Sequence, residues 1–195
     1  MEPVADDEAL MRLLQQGCDD ALDQLVRRWE GPMLGFFYRS VGDLETAEDL
    51  RQDLFVRLYV YRATFRGDSS FRVWLYQLAT NLARTYRRRA KTRRRAVEVD
   101  PNGQLGPPEV PDNSPAASEI VQRHESVRLV RKLLDALSAE DREALILRFF
   151  EGLRYREISQ ALAVAEPTAK SRVYRAVERL RRMVVERGLT ASEFL

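Results

Sequence analysis

A chain of 195 residues, 45% hydrophobic and 32% charged, can bury a core but has room for only one large domain or two small ones. Its single cysteine, Cys18, excludes an intrachain disulfide. The acidic start MEPVADDEAL lacks the basic lead of a secretory signal, and no apolar run approaches the ~20 residues of a membrane span, so a soluble, cytoplasmic protein without membrane insertion is expected. The net charge of +2 conceals segregation: residues 1–60 hold 6 basic and 13 acidic side chains, 61–96 hold 11 and 1, 97–125 hold 1 and 6, and 126–195 hold 14 and 10. The basic block attracts phosphate, and the acidic blocks repel it or meet a different surface.

In chain order, ALDQLVRRW (Ala21–Trp29) predicts the first helix. From Asp49 on, Leu50, Leu54 and Leu58 recur every four residues beside Phe55 and Tyr59, the spacing of an apolar helix face. A Gly/Ser loop follows, and then Phe71, Trp74, Leu75, Leu78, Ala79 and Leu82 repeat the same 3–4 period. This helix runs into ARTYRRRAKTRRR (Ala83–Arg95), with eight positive charges and no negative one. Five of the eight prolines fall between Pro101 and Pro115, in a stretch poor in large apolar residues that reads as a linker. No segment sustains period-2 alternation. The expected fold is therefore all-α: two small helical domains, 5–96 and 119–188, joined by a flexible Pro-rich acidic linker, 97–118.

In the second domain Ser138 is placed to N-cap a helix starting at Ala139-Glu-Asp, and Gly152 to end it. A short helix is predicted over Tyr155–Leu162 with Ile158 and Leu162 inward, then a tight turn at Ala163–Glu166, with Pro167 opening the next helix. There Ala169, Val173, Ala176, Val177 and Leu180 form a buried stripe, while Lys170, Ser171, Tyr174 and Arg175 face outward and Arg172 flanks them. Two helices at this spacing, the second basic and polar near its start, make a helix-turn-helix whose second helix fits the DNA major groove.

AEDLRQDLFVRLY (Ala47–Tyr59), SSFRVWLYQLATNLARTYRRR (Ser69–Arg89) and this helix-turn-helix, in that order and with a proline-rich linker between, resemble the extracytoplasmic-function sigma factors of bacterial RNA polymerase. The resemblance implies a helix docked on the clamp helices of the polymerase's largest subunit, carrying Asp49, Leu50, Gln52, Asp53 and Phe55, with the flap of the second-largest subunit as a further contact. It implies that Phe65, Arg66, Gly67, Asp68 and Ser69 form a pocket for a base flipped from the minus-10 element. Trp74, Gln77, Thr80 and Asn81 would then lie against the opening duplex, although core packing accounts for Trp74 equally well. Arg84, Arg87, Arg88 and Arg89 would follow the DNA backbone, Arg148 and Arg154 would hold phosphates, and Thr168, Lys170, Ser171, Arg172, Tyr174 and Arg175 would read the minus-35 element. The partners implied are core RNA polymerase, promoter DNA and an anti-sigma factor. Ala163 and Ala169 stand where the family commonly has Gly and Val, and Pro167 where it often has Gly.

Two other classes compete with this reading. A helix-turn-helix repressor or activator binding duplex DNA without polymerase needs a dimer interface or ligand domain, and residues 5–96 offer no obvious one. An enzyme needs a reactive constellation. There is no phosphate-binding Gly loop, no His-Glu-x-x-His and no Cys/His cluster; the only histidine, His124, follows the linker, and acid pairs such as Asp19-Asp20 and Glu48-Asp49 point apart on a helix. No catalytic residue, cofactor, metal or small-molecule substrate is expected.

Overall fold

A computed structural model describes residues 6–98 and 129–188, with side chains to residue 93 in the first stretch. Most of the predicted linker, His124 and residues 189–195 lie outside the described residues. Among those described there is no strand.

The first helix, α1 (Asp7–Gln15), has no counterpart in the sequence reading. Asp6 caps it by accepting the Ala9 N–H at 2.6 Å, and Leu10, Met11 and Leu14 face inward. Helix α2 (Asp20–Val41) contains the predicted Ala21–Trp29 segment but continues through Pro32. An interior proline forgoes one helical N–H bond and costs about 3 kcal/mol. Met33, Phe36 and Phe37 just beyond it are each 0% exposed, and burying each gives about 1.5–3 kcal/mol. Burial wins, so the helix persists. It stops at Gly42, whose φ of +81° suits a residue without Cβ, and whose N–H donates to the Tyr38 carbonyl at 2.8 Å.

Asp43 then caps α3 (Leu44–Tyr61) through the Thr46 N–H at 2.8 Å. The predicted stripe Leu50, Leu54 and Leu58 is buried. After a 3-10 turn (Arg62–Thr64) and a loop comes α4 (Phe71–Glu98), which runs through the whole arginine-rich segment. Its first N–H, on Phe71, donates to the Glu8 carboxylate at 2.8 Å, so a side chain of α1 caps α4. Phe71, Trp74, Leu75, Ala79 and Leu82 are buried as expected; Val73, Tyr76 and Ala83 are buried as well.

Residues 129–135 are helical (α5) and lead to α6 (Ala139–Phe149), capped as predicted by Ser138, which accepts the Asp141 N–H at 3.2 Å. The expectation that Gly152 ends this helix is corrected: α6 ends at Phe149, and Gly152, at φ +65°, turns the chain afterwards so that the Leu153 N–H reaches the Leu147 carbonyl at 2.9 Å. Helix α7 occupies Tyr155–Leu162 as predicted. Helix α8 (Glu166–Glu186) starts one residue earlier than expected, with Ala165 as N-cap and Pro167 at its second position. Val177, assigned to the buried stripe, is instead 38% exposed, whereas Ala169, Val173 and Ala176 are buried.

One apolar cluster runs from α1–α4 into α6, α7 and α8. The two predicted domains therefore share a core: α4 lies under α7, and α2 meets α6. A smaller cluster of Leu134, Leu137, Leu145 and Ala176 closes α5, α6 and α8.

Candidate polymerase and nucleic-acid interfaces

Helix α3 is buried on one side and bare on the other. Val56 is 62% and Val60 61% exposed, and with Leu22, Val26, Phe55 and Tyr59 they line an open apolar groove of about 690 Å³ between α2 and α3. Polar rims come from Asp19, Glu30, Arg51 and Gln52. Of the predicted docking residues, Gln52 and Phe55 line this groove and Asp49 is exposed nearby. Asp53 pairs with Arg57 at 3.2 Å, and Leu50 belongs to the core. Val56 and Val60 escaped the sequence reading because they lie off the Leu50–Leu54–Leu58 stripe; a second apolar pair at the same four-residue spacing was the available signal.

The loop before α4 is held from α1. The Gln15 side-chain amide donates to the carbonyls of Arg62 at 2.7 Å and Phe65 at 2.8 Å, and α1 is itself tied to α2 by Asp7, which accepts from Arg28 and Trp29, both at 3.0 Å. Arg66, Gly67 and Asp68 are exposed and Ser69 is half-buried; Gly67 takes φ +76° at the loop tip. Phe65 and Trp74 are buried, their rings edge-on at 5.5 Å. On α4, Gln77 is half-buried and Asn81, Arg88 and Arg89 are exposed.

Thr80, Arg84 and Arg87 lie on a different face of α4, the one that meets the second domain. Thr80 is fully buried and its hydroxyl donates to the Ala161 carbonyl at 3.0 Å. Arg84 pairs with Glu143 at 2.8 Å and reaches the Leu162 carbonyl at 3.3 Å, while Arg87 pairs with the other Glu143 oxygen. One turn earlier, Tyr76 donates to the Glu151 carboxylate, Arg39 of α2 pairs with the same carboxylate at 2.6 Å, and Arg72 donates to the Glu151 carbonyl. Burial, then the neighbouring Glu151 carboxylate, push the Tyr76 phenol above its ordinary value, so it remains a donor. Glu143 on α6 and Glu151 just after it were invisible as site residues in the sequence because nothing local distinguishes them from the chain's other acids.

In the second domain Thr168, Lys170, Ser171, Tyr174 and Arg175 are exposed on α8 and Arg172 is half-buried. Arg175 is held by Asp141 at 2.8 Å. Arg154 is exposed, whereas Arg148 is turned inward: it donates to the Leu153 carbonyl at 3.0 Å and stacks over Tyr155 at 5.1 Å. Among the described residues no group of His, Cys, Asp and Glu is placed to hold a metal ion, and no helix is long and apolar enough to cross a membrane.

The described surface thus holds an unpartnered apolar groove on α2 and α3, an arginine-lined helix partly covered by the second half of the chain, and a helix-turn-helix with a cationic outer face. Comparison with known proteins makes the class specific: residues 25–93 match Sigma-70 region 2 and residues 128–180 match Sigma-70, region 4. The chain is 33% identical to the RNA polymerase sigma-H factor of Pseudomonas aeruginosa over 176 residues, 88% of this chain and 90% of that protein. It is 31% identical to the ECF RNA polymerase sigma-E factor of Haemophilus influenzae over 181 residues, 88% of this chain and 92% of that protein. Its fold resembles the sigma factor RpoE of Bartonella quintana, solved in complex with the anti-sigma factor NepR, with a TM-score of 0.63 and 23% identity across 85% of this chain and 97% of that one. The chain belongs to the sigma-70 family of RNA polymerase factors, in its extracytoplasmic-function group. As such it is a sigma factor, a non-enzymatic initiation factor that binds core RNA polymerase and directs promoter-specific transcription; the repressor or activator alternative is not favoured.

Proposed function

We propose that the α2–α3 groove is the surface that docks on the clamp helices of core polymerase, that the 65–69 loop and α4 engage the minus-10 element, and that α8 reads the minus-35 element. The observation that carries the docking assignment is the groove itself: contiguous exposed apolar surface on a folded helix marks a partner site. The acidic residues at its rim, Asp19 and Glu30, suit a protein partner better than DNA. Exposed Lys170, Ser171 and Arg175 support major-groove readout, and Arg88 and Arg89 support phosphate contacts whose effect on affinity is salt-dependent. The flap of the second-largest subunit is assigned to residues 119–188, and the cytoplasm, where core polymerase works, is the compartment. The anti-sigma complex of the RpoE relative supports a similar regulator for this chain.

The test is run-off transcription of fragmented source-genome DNA with purified core polymerase, with and without this protein. Discrete starts that require the protein, sharing two upstream elements, are expected. Starts sharing only one element would remove either α4 or α8 from promoter reading.

A further inference from the structure

We propose that Glu8 and Gln15 of α1 are positioning residues for the 65–69 loop: they pin its two ends, and through its shape they set how strictly it chooses a base. This inference rests on the assignment of that loop to the minus-10 element made above.

The chain leaves the 3-10 turn at Phe65 and enters α4 at Phe71, and α1 holds it at both points. On the incoming side the Gln15 side-chain nitrogen donates to the Arg62 carbonyl at 2.7 Å and to the Phe65 carbonyl at 2.8 Å. A primary amide carries two N–H donors, so both are used and the turn is fixed relative to α1. On the outgoing side the Glu8 carboxylate accepts the Phe71 N–H at 2.8 Å. Phe71 opens α4, and its N–H has no partner within that helix. Ser70 serves Val73 instead, at 3.4 Å, which leaves Phe71 to Glu8. A carboxylate also suits the positive end of a helix. Between the two ends Arg66, Gly67 and Asp68 are exposed, and Gly67 turns the tip at φ +76°.

An anchor must be stiffer than the segment it holds. Leu10, Met11 and Leu14 seat α1 in the core, and Asp7 ties it to Arg28 and Trp29 of α2, each at 3.0 Å. Positions 8 and 15 are about two helical turns apart, so they share one face of α1 and stand roughly 10 Å apart along it. Helix α1 lies ahead of residues 25–93, which match Sigma-70 region 2, so the loop of the matched segment is held from outside that segment.

Gln15 is exposed, so its bonds exchange readily with bonds to water and contribute little to global stability. Their effect falls on the population of loop shapes. A base that fits the loop needs it in its bound shape; a base that does not fit gains nothing from that shape. Loosening the loop therefore weakens binding of the preferred base by the fraction of time the loop is correctly shaped. The other bases bind as before, and the ratio between them narrows.

The test uses the full chain assembled with core polymerase and a pool of duplexes opened and randomised across the minus-10 segment. Sequencing the bound fraction gives a base preference at each position. Arg66→Ala/Asp68→Ala marks the position that the loop reads. At that position Gln15→Ala and Gln15→Glu are each expected to lower the preference roughly tenfold, with affinity for core polymerase and the thermal midpoint unchanged. Gln15→Glu keeps the size of the side chain and replaces the donor with an acceptor. Glu8→Ala is expected to act in the same direction, and Glu8→Gln, which keeps an acceptor oxygen at the same reach, to retain the wild-type preference. Packing alone would leave both same-size variants, Gln15→Glu and Glu8→Gln, like the wild type. Wild-type preference in folded Gln15→Ala and Gln15→Glu overturns the inference while the loop assignment stands. If Arg66→Ala/Asp68→Ala alters no position, the loop does not read a base, and the inference falls with that assignment.

Discussion

Ala163 is the only non-glycine residue with positive φ among those described, at +52°, and it forms the turn between the two helices of the helix-turn-helix. Its N–H donates to the Gln160 carbonyl and the next N–H, on Val164, to the Ser159 carbonyl, so the cost of the left-handed conformation falls on the Cβ. Ala163→Gly should stabilise the protein by about 1 kcal/mol, read as a higher urea midpoint at unchanged slope. Asp43 offers a second test. Hydrogen bonds from the Thr46 hydroxyl and N–H hold its carboxyl below the ordinary carboxylate value of 3.8. A depressed folded value means that its contribution is complete above the unfolded value and fades as pH falls through the folded one, below about pH 4. Asp43→Ala should cost about 1 kcal/mol at neutral pH, and the difference from wild type should shrink at acid pH; Asp43→Asn should keep most of the cap without that pH dependence. Chemical denaturation at two pH values checks both. At this scale the sequence was legible wherever the cause was local: Ser138 caps α6 because only three residues separate it from the N–H it accepts. Gly152 misled because glycine marks a left-handed turn without saying how many residues past the helix the turn falls.

Single elements carry the separable functions. On α3, Leu50, Leu54 and Leu58 face the core while Val56 and Val60 face the groove. Val56→Asp should therefore leave thermal stability nearly unchanged, since the side chain is 62% exposed, and should weaken binding to core polymerase on the order of tenfold. Gel filtration or surface binding with purified core polymerase measures it. On α8, Arg175→Ala should reduce initiation from promoters that depend on the minus-35 element by roughly tenfold and leave core binding intact; it also removes the exposed pair with Asp141, whose loss should barely affect stability. The helices themselves were readable where period and caps agreed, as in α7, and not where a breaker intervened. Pro32 and its neighbour Gly31 argue for a helix end near Trp29, yet α2 continues to Val41 because Phe36 and Phe37 are buried against other helices. Helix α1 has no counterpart in the sequence reading because its nine residues span only about two and a half turns, and its main work, capping α4 through Glu8 and holding the loop through Gln15, is long-range.

At the scale of the whole molecule, shared packing couples the two domains. The apolar cluster crosses from the first domain to the second, and Tyr76, Ala161 and Leu162 are buried within it. Calorimetry of the free protein should show a single unfolding transition, and the Glu143→Gln/Glu151→Gln variant should resolve two, one for each domain; two transitions in the wild type would mean that the shared core contributes little cooperativity. The sequence by itself determined the helical class, the helix-turn-helix, the division of charge and the family, because these follow from periodicity, caps and short motifs that act over a few residues. Only the tertiary structure decided which side of α3 stays open and which arginines of α4 are free. Arg84, Arg87, Arg88 and Arg89 are alike in sequence, yet two are paired with Glu143, 59 and 56 residues away, while the other two remain in solvent. Charge and helix position are local properties; the partner that neutralises a charge is chosen by packing between segments distant in the chain.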